Sequence, residues 1–275
     1  MEVLYGLHPV EEAVRSGTRR LDCVMLAHER KDARLQHLAQ ICRDAGVRVT
    51  LESRDQLTRV SRTDAHQGAV ALVRERAFLT IEDLLEPQPA TKAANSNGEA
   101  VPMHHRFFLA LDGIEDPHNL GALLRTADGA GVDGVILPER RSAPVSSTVA
   151  KSSAGASEHV RIARVTNLVR ALEQMKRANV WVLGLDQRGT PDYMDFDFRT
   201  DCVLVLGREG EGLHDLVKKT CDHMLRIPMA GKVFSLNVSV AGAVVMYEAL
   251  RQRSRPAQAT PKPAAPPKPR KGLGS

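Results

Sequence analysis

The C-terminal half of the chain is organised around residues 227–250, which read IPMAGKVFSLNVSVAGAVVMYEAL. The stretch begins at the end of an apolar strand, and Pro228 and Gly231 then interrupt regular structure. Ser235 and Asn237 are typical helix-start residues, because their side chains accept hydrogen bonds from unpaired backbone N–H groups. Small and apolar residues follow. We predict a strand, a tight loop and a helix, which is either simply capped and buried or a site for a polar ligand.

The composition is that of a globular protein with about two domains, since the chain has 275 residues, 43% of them hydrophobic and 26% charged. No apolar run approaches the roughly 20 residues of a membrane helix, and the N-terminus lacks the pattern of a secretory signal. We therefore expect a cytoplasmic protein. The four cysteines are scattered without a Cys-x-x-Cys pair. This favours reduced structural thiols and predicts no metal site.

The basic residues are concentrated at the C-terminal end. The chain carries a net charge of +5, but residues 251–275 contain seven Lys and Arg residues and no acid, so residues 1–250 are net acidic. The Pro/Lys/Ala composition of residues 253–275 predicts a disordered basic tail. Two interpretations of the tail stay open, an electrostatic contact with a polyanion such as RNA and a solubilising appendage.

The remaining sequence divides into three segments. Residues 1–76 predict a small α/β unit whose frequent arginines either face phosphates or form a solvated surface. Residues 77–105 include a low-complexity stretch that predicts a flexible linker. Residues 106–252 alternate strands with helices, which indicates an α/β domain with a parallel sheet covered on both faces.

Three polar stretches follow predicted strands of this second domain, where open α/β sheets bind ligands. The first leads from Asp112 into a helix with Arg125, and Gly121 lies one turn earlier. We interpret Gly121 as clearing space, so that the guanidinium can reach a ligand near the helix start. The alternative is a surface ion pair between Arg125 and Asp128. Residues 227–237 form the third stretch.

The second stretch is a glycine-rich loop after an apolar strand, with the sequence Gly-Arg-Glu-Gly-Glu-Gly at residues 207–212. Its glycine spacing matches neither a dinucleotide-binding fingerprint nor a Walker loop. Glu209 and Glu211 would repel a pyrophosphate. The loop therefore disfavours NAD or ATP and favours a neutral or cationic ligand.

Together the three stretches resemble a known family. Its motifs, in its order, are matched by Asn119-x-Gly121-x-x-x-Arg125, by Leu206-Gly207-x-Glu209-Gly210-x-Gly212, and by Ile227-Pro228-Met229 with Ser235-Leu236-Asn237-Val238-Ser239. They resemble the SpoU (TrmH) RNA 2′-O-ribose methyltransferases of the SPOUT class. Residues 5–13 and 66–68 are similar to the family's substrate-binding domain, which resembles ribosomal protein L30e. The resemblance covers residues 1–252, and the two-domain arrangement is most similar to bacterial enzymes that methylate guanosine in 23S ribosomal RNA.

This resemblance implies a trefoil-knotted methyltransferase domain, a homodimer with the active site at its interface, and S-adenosylmethionine as the methyl donor. It implies cofactor-binding roles for Gly207, Ile227, Leu236, Gly184 and Ser235. It also places Arg125 at the ribose 2′-oxygen, with Asn119, Glu209 and Asn237 positioning the arginine and the nucleotide. Arginine stays protonated, with a pKa above about 12. Stabilisation of an alkoxide or a phosphate contact is therefore easier to defend for Arg125 than a role as the base.

Two alternatives remain at this stage. A transfer-RNA 2′-O-methyltransferase would share the motifs, but it would not need residues 1–76, so the first domain favours ribosomal RNA or an assembling large subunit as the partner. A non-catalytic RNA-binding relative need not retain the four polar residues. All four are present here, which favours an enzyme.

Overall fold

The computed structural model describes residues 1–28, 32–86 and 105–254. The strands in these ranges are β1 (Glu2–Tyr5), β2 (Leu21–Ala27), β3 (Val49–Glu52), β4 (Ala69–Val73), β5 (Phe107–Leu111), β6 (Gly134–Pro138), β7 (Ile162–Val165), β8 (Trp181–Leu185), β9 (Cys202–Leu206) and β10 (His223–Leu225). The helices are α1 (Leu7–Ser16), α2 (Ala33–Asp44), α3 (Arg54–Ser61), α4 (Ile81–Leu85), α5 (Pro117–Gly129), α6 (Ser147–Ser152), α7 (Leu168–Arg177), α8 (Asp215–Thr220) and α9 (Val238–Arg253).

The first domain is a four-stranded sheet with the strand order β1-β4-β2-β3. β2 and β3 are parallel, and the other neighbours are antiparallel. Helices α1 and α2 bury Val10, Leu38 and Cys42 in one core, and α3 contributes Leu57 to a smaller one. The predicted small α/β unit is confirmed. Strand β1 was not predicted, because four residues carry too little periodic pattern to distinguish a strand from a loop.

The second domain is a six-stranded, entirely parallel sheet with the order β10-β8-β9-β5-β6-β7. Alternate side chains of β5 enter opposite cores: Leu109 packs with α5 and α9, whereas Phe108 packs with α4, α7 and α8. Successive strand residues point to opposite faces, so both faces need a helical cover. The predicted parallel sheet with helices on both faces is confirmed. Within the described ranges, no helix combines the length and apolar character needed to cross a membrane.

The predicted linker at residues 77–105 is wrong for its first ten residues. The Leu79 N–H donates to the Ile162 carbonyl at 2.9 Å, and Thr80 and Asp83 form a reciprocal capping box at the start of α4. Helix α4 buries Leu84 in the second domain. The composition argument failed here because it extended a low-complexity stretch across a local helix-start signal. Residues 87–104 lie outside the described residues.

The predicted tail also begins too early. Arg253 ends α9, and its guanidinium donates to the carbonyl oxygens of Phe198 at 2.8 Å and Thr200 at 2.7 Å. These contacts attach the end of α9 to the loop before β9. Arg253 therefore belongs to α9 and not to the tail, to which its basic character had assigned it. Residues 255–275 lie outside the described residues.

A buried charge cluster joins the two domains. Glu158 lies in a 3-10 turn after α6 and is only 2% exposed. Its Oε1 forms ion pairs with Arg76 Nη2 at 2.9 Å and with Arg19 Nη1 at 3.5 Å. At the rim, His159 Nε2 lies 2.7 Å from Glu12 Oε2. Buried charges require partners, because their loss of hydration is costly. The cluster therefore fixes how the first domain sits on α6 and its following turn.

Glu158→Ala is expected to loosen this contact, because Arg19 and Arg76 would remain buried without their carboxylate. Removing one partner of a buried ion pair costs about 3 kcal/mol of unfolding free energy. We expect a lower melting temperature and a larger radius of gyration in small-angle scattering. Glu173→Ala, at an exposed position of α7, is the control. Wild-type melting and scattering for Glu158→Ala would contradict the assigned role.

Candidate active site

The three polar stretches meet at the side chain of Asn237. Its Oδ1 accepts from the N–H of Ser239 at 2.9 Å and of Val240 at 3.4 Å, so Asn237 caps α9 as predicted. Its Nδ2 donates to Asn119 Oδ1 at 3.0 Å and to Glu209 Oε1. One amide thus caps a helix and holds side chains from two other loops. The predicted capped helix is confirmed. The cap is more than structural, because it also orients the Asn237 side chain at the centre of a polar cluster.

The glycine-rich loop after β9 is a tight turn that depends on its glycines. Arg208 N–H donates to Gly212 O at 3.0 Å, and Gly212 N–H donates back to Arg208 O at 2.9 Å. Gly210 has a φ of 78° and Gly212 a φ of 72°, a region in which side chains are strained. A Cβ on Gly207 would lie 2.2 Å from the carbonyl carbon of Gly212. The closed loop is therefore incompatible with any side chain at position 207.

A cavity of about 540 Å³ opens between this loop, the segment after β8 and the stretch before α9. Four of the five predicted cofactor-binding residues line it, namely Gly207, Ile227, Ser235 and Leu236. A cavity of this size suits a small-molecule ligand, since such pockets measure about 300–1,000 Å³.

Gly184 is the exception, since it is not among the residues that line the cavity. A Cβ on Gly184 would lie 2.6 Å from Met224 Sδ and 2.9 Å from Cys221 Sγ. The residue therefore faces packed side chains of the neighbouring elements, whereas Leu185, the next residue, lines the cavity. Successive residues of a strand point in opposite directions, so an error of one residue changes the face.

The charged residues Asp186 and Arg188, which line the cavity, were not predicted from the sequence. They directly follow β8, so the rule that ligands bind beyond the carboxyl ends of parallel strands could have found them. Burial alone would raise the pKa of Asp186. The hydrogen bonds from the Lys218 side chain, at 2.7 Å, and from the Arg188 N–H outweigh it and lower the pKa below its usual value. Asp186 is therefore ionised, and it lies in the cavity as one half of an ion pair with Lys218.

A second cavity of about 180 Å³ adjoins the first. Asn119 lines it, and Arg208, Glu209 and Val238 line both cavities. The cluster of Asn119, Glu209 and Asn237 therefore lies at the junction of the two spaces. This arrangement can hold two ligands side by side with hydrogen-bonding groups between them.

Arg125 is not brought into this cluster. Its side chain is exposed and makes no hydrogen bond or ion pair with any described residue. The alternative pair with Asp128 is equally absent among the described residues. Asn119 and Arg125 are six residues apart on α5, which is about 1.7 turns, so their side chains project about 120° apart around the helix axis.

Gly121 serves the packing of α5, and its interpretation as space for Arg125 is wrong. A Cβ at this position would lie 1.9 Å from Ser152 Oγ of α6. The Ser152 hydroxyl in turn donates to Pro117 O at 3.1 Å. The space beside Gly121 is filled by α6, and this contact supports the first turn of α5, which carries Asn119.

Helix α9 has one face inside the domain and an apolar face outside it. A Cβ on Gly242 would come within 2.7 Å of Leu123 and Leu206, so this small residue permits close packing within the chain. On the other side, Val240 and Tyr247 are 48% and 51% exposed. Gly242 thus serves packing within the chain, a role that the sequence could not separate from a contact with a dimer partner.

The cysteines show no sign of a reactive or metal-binding role. All four are free thiols, and burial raises the pKa of Cys42 to about 11 and of Cys202 to about 12. Such thiols stay protonated at neutral pH and are poor nucleophiles. In the part of the chain that the structure describes, no group of three or more His, Cys, Asp or Glu residues is arranged to hold a metal ion.

These features give the second domain, an α/β domain, two adjoining cavities at the carboxyl edge of its parallel sheet. The chain belongs to the SpoU rRNA methylase family, whose model matches residues 106–247. A second model, described as RNA 2′-O ribose methyltransferase substrate binding, matches residues 3–79. The resemblance drawn from the three motifs is therefore confirmed.

Named relatives match the chain over both domains. The chain is 40% identical to the 23S rRNA (guanosine-2′-O-)-methyltransferase RlmB of Ralstonia nicotianae over 254 residues, which cover 92% of this chain and 96% of that protein. Identity to the enzyme of the same name from Pseudomonas aeruginosa is also 40%, over 257 residues covering 92% and 97%.

Solved structures share the fold. The SpoU methyltransferase AviRb from Streptomyces viridochromogenes, in complex with AdoMet, matches with a TM-score of 0.72 and 25% identity, over 92% of this chain and 90% of that one. A crystal structure of an RNA 2′-O ribose methyltransferase matches with a TM-score of 0.72 and 27% identity, over 92% and 89%.

Proposed function

We propose that this protein transfers a methyl group from S-adenosylmethionine to the ribose 2′-hydroxyl of a guanosine in 23S ribosomal RNA. The observation that carries the proposal is the Asn237 amide, which joins Asn119 and Glu209 between two adjoining cavities. Methyl transfer needs a donor and an acceptor held side by side in line. The names of relatives at 40% identity supply the choice of RNA and nucleotide.

The larger cavity fits S-adenosylmethionine in size and in charge. Gly207, Ile227, Ser235 and Leu236 would hold the adenosyl part, largely through backbone atoms. The lining includes charged side chains of both signs, which suits a ligand that carries a sulfonium, an ammonium and a carboxylate group. They are Asp186, Glu209 and Glu211 with Arg188, Arg208 and Lys218. When bound, S-adenosylmethionine supplies an electrophilic methyl group.

The second cavity would take the target ribose. Asn119, Asn237 and Glu209 would orient the 2′-hydroxyl, because the Asn237 bonds fix the directions of the other two side chains. Arg125 would stabilise the negative charge that develops on the 2′-oxygen. Since arginine stays protonated, this role suits Arg125 better than proton removal.

We also propose a homodimer whose interface completes the active site. The exposed apolar side chains of Val240 and Tyr247 on α9 support an interface there. The end of Tyr247 lies beside Gly129 of α5, one turn after the exposed Arg125. A partner subunit on this surface would therefore meet Arg125. Sedimentation equilibrium is expected to give a dimer of the 30.1 kDa chain, and a monomer at micromolar concentration would contradict the proposal.

Three further features belong to the proposal. The first domain, residues 1–76, binds the RNA, as its match to a substrate-binding family model supports. The chain after β10 threads through a preceding loop to form a trefoil knot, for which family membership is the support. The protein works in the cytoplasm, where ribosomal RNA is made. An experimental structure of the complex with RNA tests the first two features. A first domain that does not contact the RNA would contradict the first feature, and a chain that does not thread through a loop would contradict the second.

The function is tested by mapping 2′-O-methyl groups in RNA from cells with and without the gene. We expect one methylated guanosine of 23S ribosomal RNA to disappear with the gene. An unchanged ribosomal RNA profile with a lost methyl group in transfer RNA would contradict the proposed substrate. No change in any RNA would contradict the proposed activity.

A further inference from the structure

Arg208 lies between the two cavities and has no role in the function proposed above. Its side chain lines both cavities. Its alkyl part lies on Gly113, where a Cβ would come within 2.6 Å of Arg208 Cγ. Gly113 also has a φ of 80°. The turn after β5 thus leaves space for the arginine side chain, which places its guanidinium at the junction of the cavities.

Two exposed carboxylates hold this guanidinium. Glu211 Oε2 lies 3.0 Å from Nη1 and Glu115 Oε1 lies 3.6 Å from Nη2, and the two acids are 69% and 52% exposed. Exposed ion pairs contribute little, because water and salt compete with them. Another anion can therefore replace these carboxylates without a large cost. Glu115 also lines the second cavity, together with Asp116 and Glu209.

Among the described residues that line the second cavity, Arg208 is the one cation. The ribose 2′-oxygen is attached to the carbon next to the one that carries the 3′-phosphate. RNA that places its 2′-hydroxyl beside Asn119 and Glu209 therefore brings a phosphodiester to this cavity. The acidic lining would repel that phosphate unless a cation met it.

We propose that Arg208 binds the backbone phosphate next to the target ribose, exchanging Glu115 and Glu211 for the phosphate oxygens. The inference rests on the proposed function, since it requires RNA in the second cavity. Arginine suits this role, because its planar guanidinium makes two parallel hydrogen bonds to a phosphate. The carboxylates hold the side chain in place until RNA arrives and release it at low cost.

Arg208→Gln tests the contact. The Kd of the purified full-length protein for a 23S ribosomal RNA transcript is measured at several salt concentrations, and the Kd for S-adenosylmethionine is measured by calorimetry. We expect the RNA Kd to rise about tenfold. The slope of log Kd against log salt should fall by about 0.7, the value for one contact to a single strand. Cofactor affinity should change much less than RNA affinity, because the guanidinium lies at the junction of the cavities and is not among the residues assigned to the adenosyl part.

Arg170→Gln is the matched control, because it removes an exposed arginine from α7 on the opposite face of the sheet. It should leave the RNA Kd and the salt slope unchanged. An unchanged Kd and slope in Arg208→Gln would overturn the inference. Loss of cofactor binding in that variant would also overturn it, by showing that Arg208 instead supports the glycine-rich loop.

Glu115→Gln distinguishes a phosphate contact from a structural brace. If Arg208 exchanges carboxylates for phosphate, removing the Glu115 charge should lower the RNA Kd. If Arg208 only braces the loop, Glu115→Gln should weaken RNA binding as Arg208→Gln does, and this result would overturn the inference. Failure of the proposed function is seen separately, in the methylation map of cells without the gene.

Discussion

Gly207→Ala is expected to weaken S-adenosylmethionine binding about a hundredfold and to lower methyl transfer at limiting cofactor accordingly. A Cβ at this position would lie 2.2 Å from the carbonyl carbon and 2.4 Å from the carbonyl oxygen of Gly212, and 2.4 Å from the nitrogen of Leu213. All three are backbone atoms, so no side-chain rotation can relieve the contact. The loop must open, at a cost of about 3 kcal/mol, which is about a hundredfold in Kd. Calorimetric titration with S-adenosylmethionine measures the effect.

Gly231→Ala is the control for this substitution. Gly231 lies in the loop before α9, and a Cβ there would meet no atom within 4 Å. We expect wild-type cofactor affinity for Gly231→Ala. If Gly207→Ala bound S-adenosylmethionine with wild-type affinity, cofactor binding would not depend on the closed loop. This result would contradict the assignment of the larger cavity to the cofactor.

Arg125→Ala is expected to lower methyl transfer by about 10²–10³-fold, the usual effect of removing a group that stabilises a developing oxyanion. Cofactor affinity should be unchanged, because Arg125 does not line the larger cavity. The measurement is single-turnover transfer of labelled methyl to 23S ribosomal RNA, with calorimetry for the cofactor. Arg199→Ala removes another exposed arginine, paired with Asp197, and should be active. Near-normal turnover of Arg125→Ala would contradict the assignment.

Mixed dimers of Arg125→Ala and Gly207→Ala show whether Arg125 acts across the proposed interface. At a cofactor concentration that limits Gly207→Ala, each variant alone should retain about 1% of wild-type activity or less. If Arg125 serves the partner's site, a mixed dimer has one intact site, and random mixing should restore about a quarter of wild-type activity. Absence of any recovery from variants that remain dimeric would contradict an interface active site.

The parts of the structure that depend on local chemistry could be predicted from the sequence. Asn237 begins α9 because its side chain reaches the N–H groups of the next residues, and that contact needs only neighbours in the chain. The alternation of strands and helices likewise predicted the parallel sheet, since each strand carries apolar residues on both faces.

The errors concern residues whose surroundings come from distant segments. Gly121 was interpreted as space for a ligand, but Ser152 of α6 fills that space, and spacing along α5 cannot show which element packs there. Gly184 lies one residue out of phase with the cavity lining. Asp186 lies outside the three motifs and Arg208 stands at an unspecified position of the second, so only their positions around the cavities make them candidates.

Transfer of labelled methyl groups to purified RNA tests the central claim most directly. The protein is incubated with labelled S-adenosylmethionine and 23S ribosomal RNA, taken either from cells that lack the gene or from cells that carry it. We expect about one methyl group per molecule in RNA from cells lacking the gene, recovered as 2′-O-methylguanosine, and almost none in RNA from cells that carry it, where the site is already methylated. Label recovered on a base, or equal incorporation into both RNAs, would contradict the claim.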